Sequence, residues 1–151
     1  MVRFHLDYAS SVWFPHKPLH KETIEGVQRR ATKQLSEMSH LSYEERLKRL
    51  NLFSLTYRRK RGDLIQMFRL IRGLDNIDIN DIVTFDTNST TRGHKYKLKK
   101  RQVQKDSRKY YFSERIVNAW NKLPEGIVRS DNLSAFKNGI DVFFWRSIYE
   151  V

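Results

Sequence analysis

Nine cations crowd into 18 residues of this chain: Arg92, Lys95, Lys97, Lys99, Lys100, Arg101, Lys105, Arg108 and Lys109, opposed only by Asp106. That segment holds +8 of the net +12 carried by all 151 residues. Positive charge so concentrated suits a polyanion, and nucleic-acid phosphate is the first to consider. His94-Lys95-Tyr96-Lys97-Leu98-Lys99 alternates, with Tyr96 and Leu98 on one side and three lysines on the other, the period-two pattern of a strand. Lysines two apart on a strand stand about 6.6 Å from one another. That roughly matches every second phosphate at about 3.4 Å per nucleotide. Tyr96, Tyr110 and Tyr111 are placed to stack on bases while the lysines hold the backbone. The same alternation also suits a solvated edge strand that its lysines protect from aggregation.

Other chemistry is sparse. Arg58-Arg59-Lys60-Arg61 looks like a phosphate-binding or nuclear-import cluster. On a helix, however, four consecutive side chains turn through about 300° and form no single patch. Arg61 falls near the apolar face, where an ion pair, expected with a glutamate, suits it better. The chain has no Cys, which excludes disulfides, thiolate metal sites and a cysteine nucleophile. It shows no phosphate loop, no G-x-S-x-G elbow and no H-E-x-x-H. His16 and His20 are separated by Pro18, and Asp78, Asp81 and Asp86 read as solvated acids rather than metal ligands. No catalytic residue, metal or cofactor is expected. No apolar run approaches the roughly 20 residues that span a bilayer, and the first residues do not resemble a secretory signal. The expectation is an intracellular protein with no membrane partner.

The elements that must position the basic segment follow from periodicity. At 39% hydrophobic and 13% aromatic residues the chain can build a core. Residues 7–14 are apolar and aromatic, interrupted by Pro15 and Pro18. Ile24, Val27, Ala31, Leu35 and Met38 make one helical stripe. Ser42 and Glu45 form a capping box opening a short helix with Tyr43, Leu47 and Leu50. Asn51 suits a left-handed C-terminal position. Ser54 caps a longer helix whose Tyr57, Leu64, Phe68 and Ile71 share a face and which ends at Gly73. In its middle, Gly62 costs about 1 kcal/mol against Ala, which suggests close approach of another backbone.

Beyond an acidic stretch containing Asp75, Asp78, Asp81 and Asp86, the basic strand begins, and a second extended piece at 108–112 is expected to pair with it. Phe112, Ile116, Ala119, Trp120 and Leu123 then form a helical stripe that stops at Pro124. Leu133, Phe136, Ile140, Phe143, Phe144 and Ile148 form another, after the N-cap candidates Ser130, Asp131 and Asn132. The expected fold is mainly α, a helical bundle with a small β-hairpin-like element in the C-terminal half. Its expected organisation is a helical subregion 1–74, an acidic connector 75–90, and a region 91–151 with the basic strand element and two helices.

Leu6-Asp7-Tyr8-Ala9-Ser10-Ser11-Val12-Trp13-Phe14-Pro15, followed by Ile24-Glu25-Gly26-Val27-Gln28-Arg29-Arg30-Ala31-Thr32-Lys33, resembles the end of the reverse transcriptase region in non-LTR (LINE-type) retrotransposons of the jockey and chicken-repeat kinds. The likeness continues through Leu41-Ser42-Tyr43-Glu44-Glu45-Arg46-Leu47-Lys48-Arg49-Leu50 and Tyr57-Arg58-Arg59-Lys60-Arg61-Gly62-Asp63-Leu64. It goes on through Thr91-Arg92-Gly93-His94, the run from Phe112 to Pro124, and Leu133-Ser134-Ala135-Phe136-Lys137. It spans nearly the whole chain in order. The resemblance implies the thumb-side helices and tail of an RNA-directed DNA polymerase. It also implies a nuclear setting and an upstream polymerase domain of the same polyprotein as partner.

Two departures matter. Tyr8-Ala9-Ser10-Ser11 lacks the aspartate pair that would hold catalytic metal ions, and no Cys–His knuckle is present. Asn51 and Phe53 stand where the family tends to have Gly and Pro, and Asn still accommodates the turn. Met1 falls where the family's chain runs on from the palm, which fits a truncated reading frame. The expected function is to hold template RNA, DNA or an RNA–DNA hybrid through Arg92, Lys95, Lys97, Lys99, Lys100, Arg101, Arg108 and Lys109, with Tyr110 and Tyr111 beside them. The alternative is a structural or protein-interaction fragment that uses Trp120 and the aromatics at 143–145 to pack on a polymerase core.

Overall fold

A computed structural model of the chain describes residue 12 and residues 14–87, 93–102 and 106–149. The described chain is mainly α-helical and clusters into two compact units, Met1–Lys60 and Arg61–Val151. Most of the aromatic stretch at 7–14, residues 88–91, Arg92 and Lys105 lie outside the described residues, as do the side chains of Trp145 and Ile148.

The first unit contains α1 (Pro18–Lys33), a single 3₁₀ turn (Ser36–Met38), α2 (Tyr43–Arg49) and the opening turns of α3 (Leu55–Ile71). Pro18 occupies the first helical position, where its fixed φ helps and its missing N–H is not needed. The capping box is present, with Glu45 N donating to Ser42 Oγ at 3.3 Å and Ser42 N donating to Glu45 Oε2 at 2.8 Å. That pairing with Ser42 holds the Glu45 carboxyl below the usual range.

α2 and α3 end alike. Asn51 (φ 51°) and Gly73 (φ 62°) each take the left-handed conformation just past a helix. The following amides reach back, Leu52 N to Leu47 O at 2.8 Å and Leu74 N to Arg69 O at 2.9 Å. Both are Schellman closures, one built with Gly and one with Asn. Ser54 Oγ accepts from Tyr57 N at 3.2 Å at the start of α3, as its spacing suggests.

The stripe of α1 behaves differently from expectation. The helix stops at Lys33, so Leu35 and Met38 fall beyond it, and Leu35 is 44% exposed. Ala31 is exposed, while Ile24 and Val27 are half-buried. The buried positions of α1 are Glu25, Gln28 and Thr32, one step round the helix. These three recur at i, i+3 and i+7, so they form a stripe of their own, made of polar residues.

The second unit contains the rest of α3, then α4 (Ile79–Ile82), α5 (Asp106–Lys109), α6 (Phe112–Asn121), α7 (Glu125–Val128) and α8 (Leu133–Tyr149). Its core is apolar: Leu64, Met67, Phe68, Val83, Leu98, Ile116, Val117, Trp120, Leu123, Val128, Phe136 and Ile140. Phe68 and Phe136 stack with centroids 4.2 Å apart, and Trp120 lies 6.0 Å from Phe136. Each fully buried side chain of this size is worth about 1.5–3 kcal/mol. Asn132 caps α8, accepting from Ala135 N at 2.8 Å. Gly139 on α8 lets α7 come close, since a Cβ there would meet Ile127 Cγ2 at 3.3 Å.

Two ion pairs tie this unit together. Arg61 pairs bidentately with Asp141 at 2.5 and 2.8 Å. The expected pair exists, with an aspartate where a glutamate was expected. Arg115 grips Asp63 through two bonds of 2.8 Å, with side-chain exposures of only 11% and 4%. In the acidic stretch, Asp75 accepts from Arg69 and Gln66, and the Arg69 bonds hold its carboxyl low. Asp78 caps α4 by accepting from Asn80 N at 2.9 Å.

The described residues form no β-hairpin-like element. Among the described residues there is one isolated antiparallel bridge, Phe85 with Leu98, and no sheet. The piece expected to pair with the basic strand is instead helical: α5 covers Asp106–Lys109, and α6 opens at Phe112. The reason lies in local chemistry. Arg115 Nη1 binds Tyr110 O, and Tyr111 N returns to Arg108 O, so the backbone between α5 and α6 is committed to a tight turn.

Candidate nucleic-acid interface

The basic segment is held from beneath by the end of α6. His94 is buried, and its ring lies edge-on to the Trp120 indole with centroids 5.9 Å apart. Its Nε2 lies 3.1 Å from Trp120 O. A carbonyl can only accept, so Nε2 carries the proton. Burial pushes the His94 pKa down, against the Trp120 hydrogen bond, and nearby Lys97 pushes it the same way. The Trp120 indole N–H donates to Tyr96 O at 2.9 Å.

Asn121 completes the clamp. Leu98 N donates to Asn121 Oδ1 and Asn121 Nδ2 donates to Leu98 O, both at 2.9 Å. On the other edge, Asp86 N donates to Lys97 O and Lys99 N donates to Thr84 O, both at 2.8 Å. One carboxamide therefore does for Leu98 what a neighbouring strand would do. This satisfies backbone groups at a buried position, where an unpaired group is costly.

The cations project from this fixed backbone. Lys95, Lys99, Lys100 and Arg101 are exposed, as are Arg108 and Lys109 on α5. Lys97 is half-buried and its stem crosses Gly93, whose absent Cβ would lie 2.8 Å from Lys97 Cε. At φ 131° that position also favours glycine for its backbone. Arg101 Nη2 donates to Thr84 Oγ1 at 2.7 Å. The ladder of three lysines at strand spacing does not form, because Lys95 and Tyr96 occupy a turn. Only Lys97 and Lys99 flank the bridge residue on extended backbone.

The tyrosines separate into two kinds. Tyr96 packs against the apolar core, with Lys95 Nζ 5.1 Å from its ring centroid. Tyr110 is half-buried, with Lys109 Nζ 5.9 Å from its ring. Tyr111 is 61% exposed. Trp120, named in the alternative reading as a packing surface, is fully buried in its own core and presents no face to a partner.

Sequence reading missed the anchors. Neither the burial of His94 nor the roles of Asn121 and the Asp63–Arg115 pair are marked in the sequence. No periodic signal marks a carboxamide that pairs with backbone. The only cue was Asn121's place beside a Trp at the end of an apolar stripe. Among the described residues no group of three or more His, Cys, Asp or Glu could hold a metal ion. None of their helices is long and apolar enough to cross a membrane. Compared with known protein families, curated proteins and solved structures, the chain has no significant match.

Proposed function

We propose that the chain holds nucleic acid (template RNA, DNA or an RNA–DNA hybrid) through phosphate contacts and carries out no chemistry of its own. The contacts run through Lys95, Lys97, Lys99, Lys100, Arg101, Arg108 and Lys109, with Arg92 added from the sequence. The observation that carries this reading is the run of exposed cations Lys95, Lys99, Lys100 and Arg101 on and just after a backbone fixed by His94, Trp120 and Asn121. A fixed backbone reduces the ordering cost of binding. Phosphate contacts of this kind position a strand without reading its sequence. The resemblance to LINE-type reverse transcriptases supplies the setting: a thumb-side bundle and tail beside an upstream polymerase domain, acting in the nucleus.

A second reading is an interaction fragment seated on that upstream domain. It draws on Leu19, 73% exposed on α1, and on the incompletely buried Ile24–Val27–Ala31 stripe. Binding of short RNA, DNA and hybrid duplexes across a salt series separates the two. The proposal predicts a steep fall of log K with log salt, at about 0.7–0.9 per phosphate neutralised. Changing Lys95, Lys97, Lys99, Lys100 and Arg101 together to Gln should lower that slope by roughly 3.5–4.5 while leaving the circular dichroism unchanged. Weak binding, or binding indifferent to those changes, would favour the interaction fragment.

A further inference from the structure

Tyr111 points to the form of nucleic acid that the interface takes. It is the N-cap of α6 and follows the exposed Arg108 and Lys109 by three and two residues. Its backbone is held at both ends: its N–H donates to Arg108 O at 3.1 Å, and its carbonyl accepts from Glu114 N and Arg115 N at 3.1 and 3.0 Å. Arg115 is fixed in turn by the buried Asp63 carboxylate, and also donates to Tyr110 O at 3.0 Å. The ring that this frame carries is 61% exposed.

Exposure of one aromatic is ordinary. Its combination here with a rigid frame and a strongly cationic neighbourhood is not. Tyr96 and Tyr110 have other engagements, in the core and beneath lysines. A solvent-facing ring gains most from the flat face of a base, and in a duplex both faces of each interior base are covered. An unpaired base offers a face, and stacking on it is tolerant of sequence.

Resting on the phosphate-holding function above, we infer that the interface takes single-stranded nucleic acid, with one unpaired base stacked on Tyr111 and adjacent phosphates on Arg108 and Lys109. Asp63 and Arg115 hold the backbone from which that ring projects. The test uses the full chain with oligo-uridylate, oligo-deoxythymidylate and a blunt DNA duplex as probes. Tyr111→Ala should weaken both single-stranded probes by about 5- to 100-fold and leave the duplex within twofold, while Tyr111→Phe retains binding. The melting temperature of each variant should match the wild type, since the exposed ring packs on little. Unchanged single-strand binding in Tyr111→Ala, or an equal loss on the duplex, overturns the inference. In either case the salt slope and its response to the five-cation variant still report separately on phosphate holding, so the two failures are distinguishable.

Discussion

The two units carry equal net charge and differ in how much of their interior is polar. Residues 1–60 hold twelve Lys and Arg against six Asp and Glu, and residues 61–151 hold seventeen against eleven, so each contributes +6. In the first unit the buried side chains include Glu25, Gln28, Thr32 and Arg46. Glu25 accepts from the Tyr43 hydroxyl at 2.5 Å and from the amides of Leu55 and Thr56 at 3.0 and 3.3 Å, acting as a tertiary cap for α3. Burial and Glu25 together raise the Tyr43 pKa. Gln28 donates to Tyr43 Oη and Phe53 O. Arg46 donates to three neutral oxygens, on Thr32, Leu41 and Arg29.

The second unit has a twelve-residue apolar cluster instead. Charge differs as well. In the first unit it is dispersed, whereas +8 of the second unit's charge lies in 92–109, leaving the rest of that unit net acidic. A polar interior fixes geometry through directed bonds, and an apolar one through shape.

Substitutions should expose that contrast, beginning with the apolar unit. Trp120→Ala removes the core's largest side chain and the donor to Tyr96 O, and should cost about 4–5 kcal/mol in urea unfolding. Faster amide exchange at residues 94–99 should accompany it. Asp63→Ala leaves the buried Arg115 charge without its carboxylate and should cost about 3–4 kcal/mol. In the first unit the ranking by residue type inverts. Glu25→Ala leaves two amides and a hydroxyl without their acceptor and should cost about 2–3 kcal/mol, whereas Val27→Ala on the half-buried stripe should cost under about 1 kcal/mol. Hydrogen exchange on α1 and α3 distinguishes these. If Val27→Ala proved the more damaging, the polar-interior account of the first unit would fail.

A pH dependence should accompany these effects. Because the folded His94 pKa lies below its unfolded value of about 6.5, the unfolded chain binds the extra proton first. Stability is therefore full above about pH 6.5 and declines as pH falls toward the folded pKa, by up to about 1.4 kcal/mol per pH unit. Urea midpoints between pH 7 and 5 should show that decline, and His94→Gln should flatten its share of it.

How much of this was legible in the sequence follows the same division. Apolar periodicity located the core of the second unit, because Leu64, Phe68, Ile116, Trp120, Phe136 and Ile140 are buried where their spacing puts them. The same rule failed on α1, where the buried stripe is Glu25, Gln28 and Thr32, and no hydropathy pattern distinguishes polar residues that meet partners from those that meet water. Local signals did well: the Ser42–Glu45 box, the Ser54 cap and the left-handed Asn51 depend on neighbouring residues alone. The hairpin did not survive because alternation records which side chains are buried, not what the backbone bonds to. Leu98 is buried as the alternation implies, yet its backbone partner on one edge is the side chain of Asn121, 23 residues away.

Since both units are equally basic, the most direct test of the central claim is to map where nucleic acid touches the chain. Ultraviolet crosslinking of the full chain to uridine-containing RNA, read by peptide mass spectrometry, does this. The account predicts adducts concentrated between residues 93 and 111, with Tyr111 prominent and few on α1 or α2. Adducts centred instead on the dispersed cations of the first unit, Arg29, Arg30, Lys33, Lys48 and Arg49, would contradict it.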